Sequence, residues 1–312
     1  MAKILAHLAL LVVALTYGGN YLVAKGLMPD LIGPSGFIVL RVIGGGGLFW
    51  LVRWAMRARA PWERIERGDF WRLAACGATG VAANQLLFFN GLSITSPVNA
   101  SIIMTVNPVL VLLISAALLG TPITARKMAG IAVGGAGAIA LLILGAQQTN
   151  IHASWQGDLM ILINATSYGF YLVLVKPLMA KYKPLTVIAW VFLFGALWVV
   201  PIGLRQALAI DWSAFESVHW KGLAYVVLAT TFMVYLLNIF ALRHVQPTVV
   251  SIYIYLQPLL ATGFSWWLSR RGGVDYITDL GWWTALCAAA IFLGVALVSW
   301  PSAKTKASLQ AK

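Results

Sequence analysis

Tyr17–Met28 reads YGGNYLVAKGLM and Tyr168–Met179 reads YGFYLVLVKPLM, with Tyr, Gly, Lys, Leu and Met in register across an offset of 151 residues. A second pair repeats the spacing: PVNASIIMTVNP at 97–108 matches PTVVSIYIYLQP at 247–258 in both prolines, a serine and an isoleucine, at an offset of 150. Two matches at nearly one offset make the chain a duplication. The duplicated material is very apolar, with 61% hydrophobic residues, 10% charged residues and a mean hydropathy of +0.85. Soluble domains do not reach such values, whereas polytopic membrane proteins do. Internal repeats in such a chain are the pattern of secondary transporters, whose site lies between the halves near the bilayer midplane.

A helix needs about 20 residues to cross ~30 Å of hydrocarbon. Apolar stretches of that size are predicted at 4–24, 34–55, 71–92, 97–119 and 127–145, then at 157–178, 185–205, 220–242, 247–269 and 280–300. The expected fold is therefore all-α and polytopic, with ten transmembrane helices in two five-helix repeats, 1–146 and 147–303, and a short basic tail, 304–312. The N-terminal apolar run holds the Tyr17 repeat unit and reads as a retained first span, not a removed signal. Arg53, Arg57, Arg59, Arg64, Arg67 and Arg72 crowd the loop between the second and third spans, which places that loop in the cytoplasm. The same orientation puts both termini inside and gathers sixteen cations there against Glu63, Glu66 and Asp69. An odd number of spans per repeat then gives the halves opposite topology, the arrangement that lets them exchange conformations. Tryptophans at predicted span ends, such as Trp50, Trp54, Trp155 and Trp220, suit the membrane interface.

Several function classes drop out. The net charge of +13 is spread over short loops, so no compact nucleic-acid-binding face is expected. Cys76 and Cys287 lie in apolar segments without metal-like spacing. His7, His152, His219 and His244 fall near span ends or in loops, and neither HExxH nor GxSxG occurs, so neither an intramembrane enzyme nor a metal or other cofactor is expected. Apart from Asp158 at the outer edge of the sixth, no Asp or Glu falls within a predicted span, which leaves no obvious proton-relay carboxylate.

Polar residues are costly in hydrocarbon and face the bundle interior, so stripes at helical spacing mark a substrate path. The first span offers Tyr17 and Asn20, and the sixth offers Asn164, Tyr168 and Tyr171. The third offers Asn84, Gln85 and Phe88, and the eighth Thr231, Tyr235 and Asn238. The fourth offers Ser101, Thr105 and Asn107, and its repeat mate, the ninth, offers Ser251, Tyr253, Tyr255 and Gln257. Neutral hydrogen-bonding groups interleaved with aromatic rings suit a small amphiphilic solute. The alternative for each polar residue is to join helices by interhelical hydrogen bonds, worth ~0.6 kcal/mol apiece.

Arg41, in the second span, is the candidate contact for a substrate anion; the alternatives are snorkelling, pairing with Asp30, or capping helix-end carbonyls. Pro108 and Pro258 sit at equivalent places in the fourth and ninth spans and are candidate hinges. Lys25 and Lys176 are repeat mates expected at opposite membrane faces, as interfacial snorkels or as gate or substrate contacts. Small residues, Gly130, Gly134 and Gly137 in the fifth span and Ala285, Ala289 and Gly294 in the tenth, predict close helix packing, within the scaffold or at a homodimer interface.

YGGNY at 17–21, Pro34 followed by Arg41, and LLFFNGLSITSPVNASIIMTVNPVLVLLISAALLG at 86–120 together resemble the EamA-type branch of the drug/metabolite transporter superfamily. The resemblance covers nearly the whole chain. It implies a ten-helix carrier of small metabolites, often an exporter of amino acids, with a cavity lined by the first, third, fourth, sixth, eighth and ninth helices. Members often carry a glutamate just after the fourth and ninth helices; here Gly120-Thr121 and Ser269-Arg270 stand there, so a gating role for that glutamate does not transfer. The expected function is a secondary transporter of the bacterial inner membrane that exports a small neutral or zwitterionic metabolite by alternating access. Its expected partners are that solute and the lipid bilayer. The competing expectations are a carrier of anionic or phosphorylated metabolites using Arg41, and a membrane receptor.

Overall fold

The computed structural model describes residues 2–28, 30–57, 63–95, 100, 103–145, 154–257, 259–260, 263 and 282–299. Ser101, Pro258 and the 304–312 tail lie outside the described residues. Helix α1 spans Ala2–Leu27, α2 Pro34–Ala55, and α3 runs as Phe70–Gly77, a π-helical stretch Ala78–Ala83, and Asn84–Ile94. Next come α4, Asn107–Leu119, α5, Ala125–Gly145, α6, Trp155–Lys181, and α7, Pro184–Leu208. Helix α8 repeats the plan of α3, as Ser217–Tyr225, a π-helical stretch Val226–Met233, and Val234–His244. Pro247–Ile252 forms α9, followed by a 3-10 turn at Tyr253–Tyr255, and Trp282–Ser299 forms α10. The described residues hold no strand.

The helix starts follow from local chemistry that the duplication copied. Gly33 and Lys183 are extended, with ψ of 149° and 144°, because the proline that follows each disfavours the α region. Pro34 and Pro184 then open α2 and α7 at the first helical position, where a missing N–H is harmless. Each start is capped by the other half. Gln206 Oε1 accepts from the N–H groups of Ser35 and Gly36 at 2.9 and 3.1 Å, and the Glu63 carboxylate accepts from Lys183 N–H and Thr186 Oγ1. Gly120, at φ 63°, ends α4 in the left-handed conformation that favours glycine.

Among the described residues, α1, α2, α6, α7 and α8 are long and apolar enough to cross a membrane, and shorter apolar helices lie at Asn107–Leu119 and Ala285–Ser299. Large apolar side chains such as Ile43, Leu113, Leu197 and Trp198 point outward. Lipid tails are as apolar as leucine, so helix association here rests on close packing more than on the hydrophobic effect. The pairings interleave the two halves: α1 packs on α8, α6 on α3, α2 on α7, α4 on α9, and α5 on α10. Glycines set how closely they approach. A Cβ on Gly45 would lie 2.6 Å from Thr231 of α8, and one on Gly195 would lie 2.6 Å from Val81 of α3, so glycines one repeat apart meet residues one repeat apart. A Cβ on Gly294 would stand 2.5 Å from the Gly134 Cα, so the small-residue faces of α5 and α10 meet inside the chain. A homodimer through these two helices would use their other faces.

Where the α2–α3 connection meets the α6–α7 turn, a polar network forms. Lys181 Nζ reaches Glu66 at 2.8 Å and Asp69 at 3.0 Å, and Tyr182 donates to Asp69 at 2.8 Å. Burial pushes the Asp69 carboxyl upward, but hydrogen bonds from Lys181 and Tyr182, with the charges of Lys181 and Arg72, outweigh it and hold the pKa below the ordinary 3.8. A carboxyl depressed by folding stabilises the protein above its unfolded pKa, and that stability is lost as pH falls through the folded one. Asp69→Asn is therefore expected to lower the melting temperature at pH 7, with the gap to wild type closing below pH 3.8. Thermal unfolding in detergent across pH 3–8 reads this; a gap constant with pH would sink the assignment.

Candidate functional site

The site forms around two π-helical stretches, one per repeat: that of α3 packs on α6 and α7, and that of α8 on α1 and α2. A π stretch admits an extra residue into a turn and shifts the carbonyls out of the usual ladder. Threonines satisfy some of these carbonyls. Thr79 Oγ1 donates to Ala75 O at 2.7 Å in α3, and Thr230 and Thr231 Oγ1 both donate to Val226 O at 2.8 Å in α8. Neighbouring helices take others. Tyr235 donates to Gly80 O at 3.2 Å, and Ser167 donates to Thr79 O at 2.8 Å.

Arg41 sits against the α8 stretch. It is 3% exposed, and its Nε donates to Thr231 Oγ1 at 3.0 Å while Nη2 reaches Thr230 O at 3.5 Å. The guanidinium lies 5.4 Å from the Phe89 ring centroid and 5.8 Å from that of Phe37. Of the alternatives open for Arg41, snorkelling and pairing with Asp30 are not what the structure shows; the carbonyl it meets belongs to a mid-helix π turn, not to a helix end. No carboxylate of the described residues pairs with it. Its titratable neighbours are tyrosines with neutral phenols: Tyr17 and Tyr235 lie near Arg41, and Tyr168 and Tyr171 near those two. The Tyr168 and Tyr171 rings are 6.0 Å apart.

Repeat mates touch on the axis between the halves. Gln85 Nε2 donates to Tyr235 Oη at 3.1 Å, and Tyr255 Oη donates to Thr105 O at 2.8 Å, both across 150 residues. Gln85 Oε1 and the Tyr171 hydroxyl are buried and find no partner among the described residues. The core of the site is thus Arg41, Gln85, Tyr17, Tyr168, Tyr171 and Tyr235.

The remaining candidates divide. Asn107, fully buried, donates to Ala165 O at 2.8 Å, and Asn164 donates to Asn84 O, so both amides join helices as the alternative reading holds. Their Oδ1 atoms, and that of Asn20, have no partner among the described residues. Asn238 is buried, Asn84 and Gln257 are half-buried, and Phe88 packs edge-on against Phe89 at 5.2 Å. Tyr253 falls elsewhere: its hydroxyl pairs with His7 Nδ1 at 2.9 Å, ten residues before Tyr17, or ~15 Å away along α1. Pro108 is no mid-helix kink either, because the fourth span breaks at a turn, Thr105–Val106, and α4 restarts with this proline in its first turn. The 3-10 turn at Tyr253–Tyr255 breaks the ninth span at the matching place. Gln85 and Thr231 stood in the polar stripes without being singled out; the 150-residue offset from Gln85 to Tyr235 was the signal that marks the axis. Nothing in the sequence marked the backbone carbonyls of Gly80 and Thr230.

Buried hydrogen-bonding groups surround one cation here, and the described residues hold no grouping of His, Cys, Asp and Glu suited to a metal. The EamA-like transporter family model matches residues 4–143 and again 155–300, and the chain belongs to that family of membrane transporters. It is 24% identical to an uncharacterized transporter of Archaeoglobus fulgidus over 275 residues, 88% of this chain and 92% of that one. It is 30% identical to the "Probable terminal-alkyne amino-acid exporter" of Streptantibioticus cattleyicolor over 140 residues, 45% of this chain and 46% of that protein. A crystal structure at 18% identity superposes with a TM-score of 0.72, covering 97% of this chain and 98% of its own, which shows the shared fold.

Proposed function

We propose that this transporter is a secondary carrier that exports a small zwitterionic or net-neutral metabolite of the amino-acid type across the bacterial inner membrane by alternating access. The observation that carries this reading is Arg41. Keeping a cation out of water costs several kcal/mol unless it is paired, and the described residues supply it with hydroxyl and carbonyl oxygens and aromatic faces but no anion. A substrate carboxylate would complete that shell, and the tyrosine faces would take its ammonium and apolar body. One central cation matches one carboxylate; a phosphorylated solute would call for more positive charge. Ten spans in two inverted repeats, with both termini in the cytoplasm, agree with the interleaved packing and the distribution of charge. Export is supported by the name of the Streptantibioticus relative, over less than half of either chain.

The test is counterflow of a labelled metabolite panel in proteoliposomes. Substrate-specific counterflow is expected from the wild type, with about a tenfold loss in Gln85→Ala and Tyr235→Phe, which each remove a polar group worth ~1–2 kcal/mol from the contact between the halves. A folded wild type that exchanges no member of a broad panel would overturn the carrier reading.

A further inference from the structure

One end of the bundle is fastened by a lysine. Lys176 of α6 donates through Nζ to the backbone carbonyls of Leu242 and, at 2.7 Å, Val245, where α8 ends. The last carbonyls of a helix lack intrahelical partners and carry the negative end of its dipole, so an ammonium is their natural cap. Every part of this contact has a repeat mate. Lys176 corresponds to Lys25 at the offset of 151, and Leu242 and Val245 correspond to Leu92 and Thr95 at 150. The two helix ends also share a conformation. Thr95 has φ −124° and ψ 168° with its N–H on Gly91 O, and Val245 has φ −126° and ψ 170° with its N–H on Ala241 O.

The packing around these matched ends differs. Helix α6 packs along Val234–His244 of α8, whereas among the described residues no comparable packing joins α1 to Asn84–Ile94 of α3. The two ends lie on opposite sides of the bundle. Thr95 and Asp158 bring the end of α3 to the start of α6, and Lys176 brings the end of α6 to the end of α8. The molecule therefore holds one of two symmetry-related closures.

We infer that Lys176 and Lys25 are alternating latches. Lys176 on the terminal carbonyls of α8 closes the cytoplasmic end in the state described here, and Lys25 takes the carbonyls of Leu92 and Thr95 to close the outer end in the opposite state. The central site faces outward in the first state and inward in the second. A carbonyl pair suits a reversible latch, because release leaves two neutral acceptors and no stranded carboxylate. The long, flexible lysine stem can follow a helix end as the halves rock. The inference rests on the carrier reading above.

The test uses full-length protein in lipid nanodiscs with spin labels at exposed positions, Ala180 with Arg243 for one end and Gly26 with Ser93 for the other. Both native cysteines are buried. Lys176→Met is expected to lower the ratio of inner-closed to inner-open molecules roughly tenfold, about 1.4 kcal/mol. Lys25→Met is expected to shift it by a similar factor the other way, with Lys176→Arg close to wild type. Two populations and active counterflow, with a ratio indifferent to both lysines or moved the same way by both, would overturn the latches alone. A single population with no counterflow would remove the carrier reading and the latches with it.

Discussion

Arg41→Met is expected to abolish substrate-specific counterflow, raising the substrate dissociation constant at least about 100-fold, or roughly 2.7 kcal/mol. The size follows from the shell around the guanidinium. Thr231 and the Thr230 carbonyl hold Nε and Nη2 in place, so the cation is positioned before substrate arrives and little ordering remains to be done on binding. Truncating one partner of a buried, hydrogen-bonded charge pair costs about 2–5 kcal/mol. Arg41→Lys keeps the charge but loses the planar fork, and is expected to retain binding about tenfold weaker than wild type. A substrate analogue whose carboxylate is replaced by carboxamide separates a binding role from a structural one. Wild type should bind it as weakly as Arg41→Met binds the acid, and Arg41→Met should not distinguish the two. Titration calorimetry of the purified proteins gives all four values. A folded Arg41→Met that binds the acid as wild type does would mean that Arg41 serves packing alone.

Gly294→Leu is expected to cause the largest loss of stability of any single substitution considered, about 3 kcal/mol, at the upper end of overpacking. A side chain there runs into the backbone of α5: its Cβ would lie 2.5 Å from Gly134 Cα and 2.6 Å from both Gly130 O and Gly134 N. Backbone atoms cannot rotate away, so α5 and α10 must separate along their contact. Gly47→Ala is the control, because a Cβ on Gly47 meets nothing within 4 Å, and it should unfold with the wild type. Thermal unfolding in detergent, followed by fluorescence, compares them. Equal midpoints for Gly294→Leu and wild type would show that the two helices do not pair as described.

The duplication was readable because it leaves identities at fixed offsets, and the prolines that open α2 and α7 are visible in the sequence as Pro34 and Pro184. Membrane character was readable because hydrocarbon penalises every polar group over about 20 consecutive residues, so the helices write themselves as apolar runs. The breaks in the fourth and ninth spans were less legible. A proline reads alike inside a helix and in its first turn, and only the turn at Thr105–Val106 tells them apart.

The tyrosines and Arg41 were legible as candidates, since helical spacing puts each set on one face of its own helix. Which faces meet was not, because meeting depends on how the two halves interleave. Tyr253 shows the difference: its polar stripe was as good as that of Tyr235, yet the 3-10 turn that contains it leads it to His7. Gln85 and Tyr235 show the converse, two residues in separate stripes that the pseudo-twofold arrangement brings to 3.1 Å.

By itself the sequence determined an apolar, duplicated, helical chain of a transporter family and the polar residues available to it, because burial preference and repeat offset are properties of the linear order. Only the tertiary structure decided which of those residues form one site, that Arg41 rests on a π turn of the other half, and which lysine caps which helix. Those facts depend on backbone carbonyls and crossing geometry, and a carbonyl has the same sequence signature whether it is paired inside a helix or freed by a π turn to receive a neighbour.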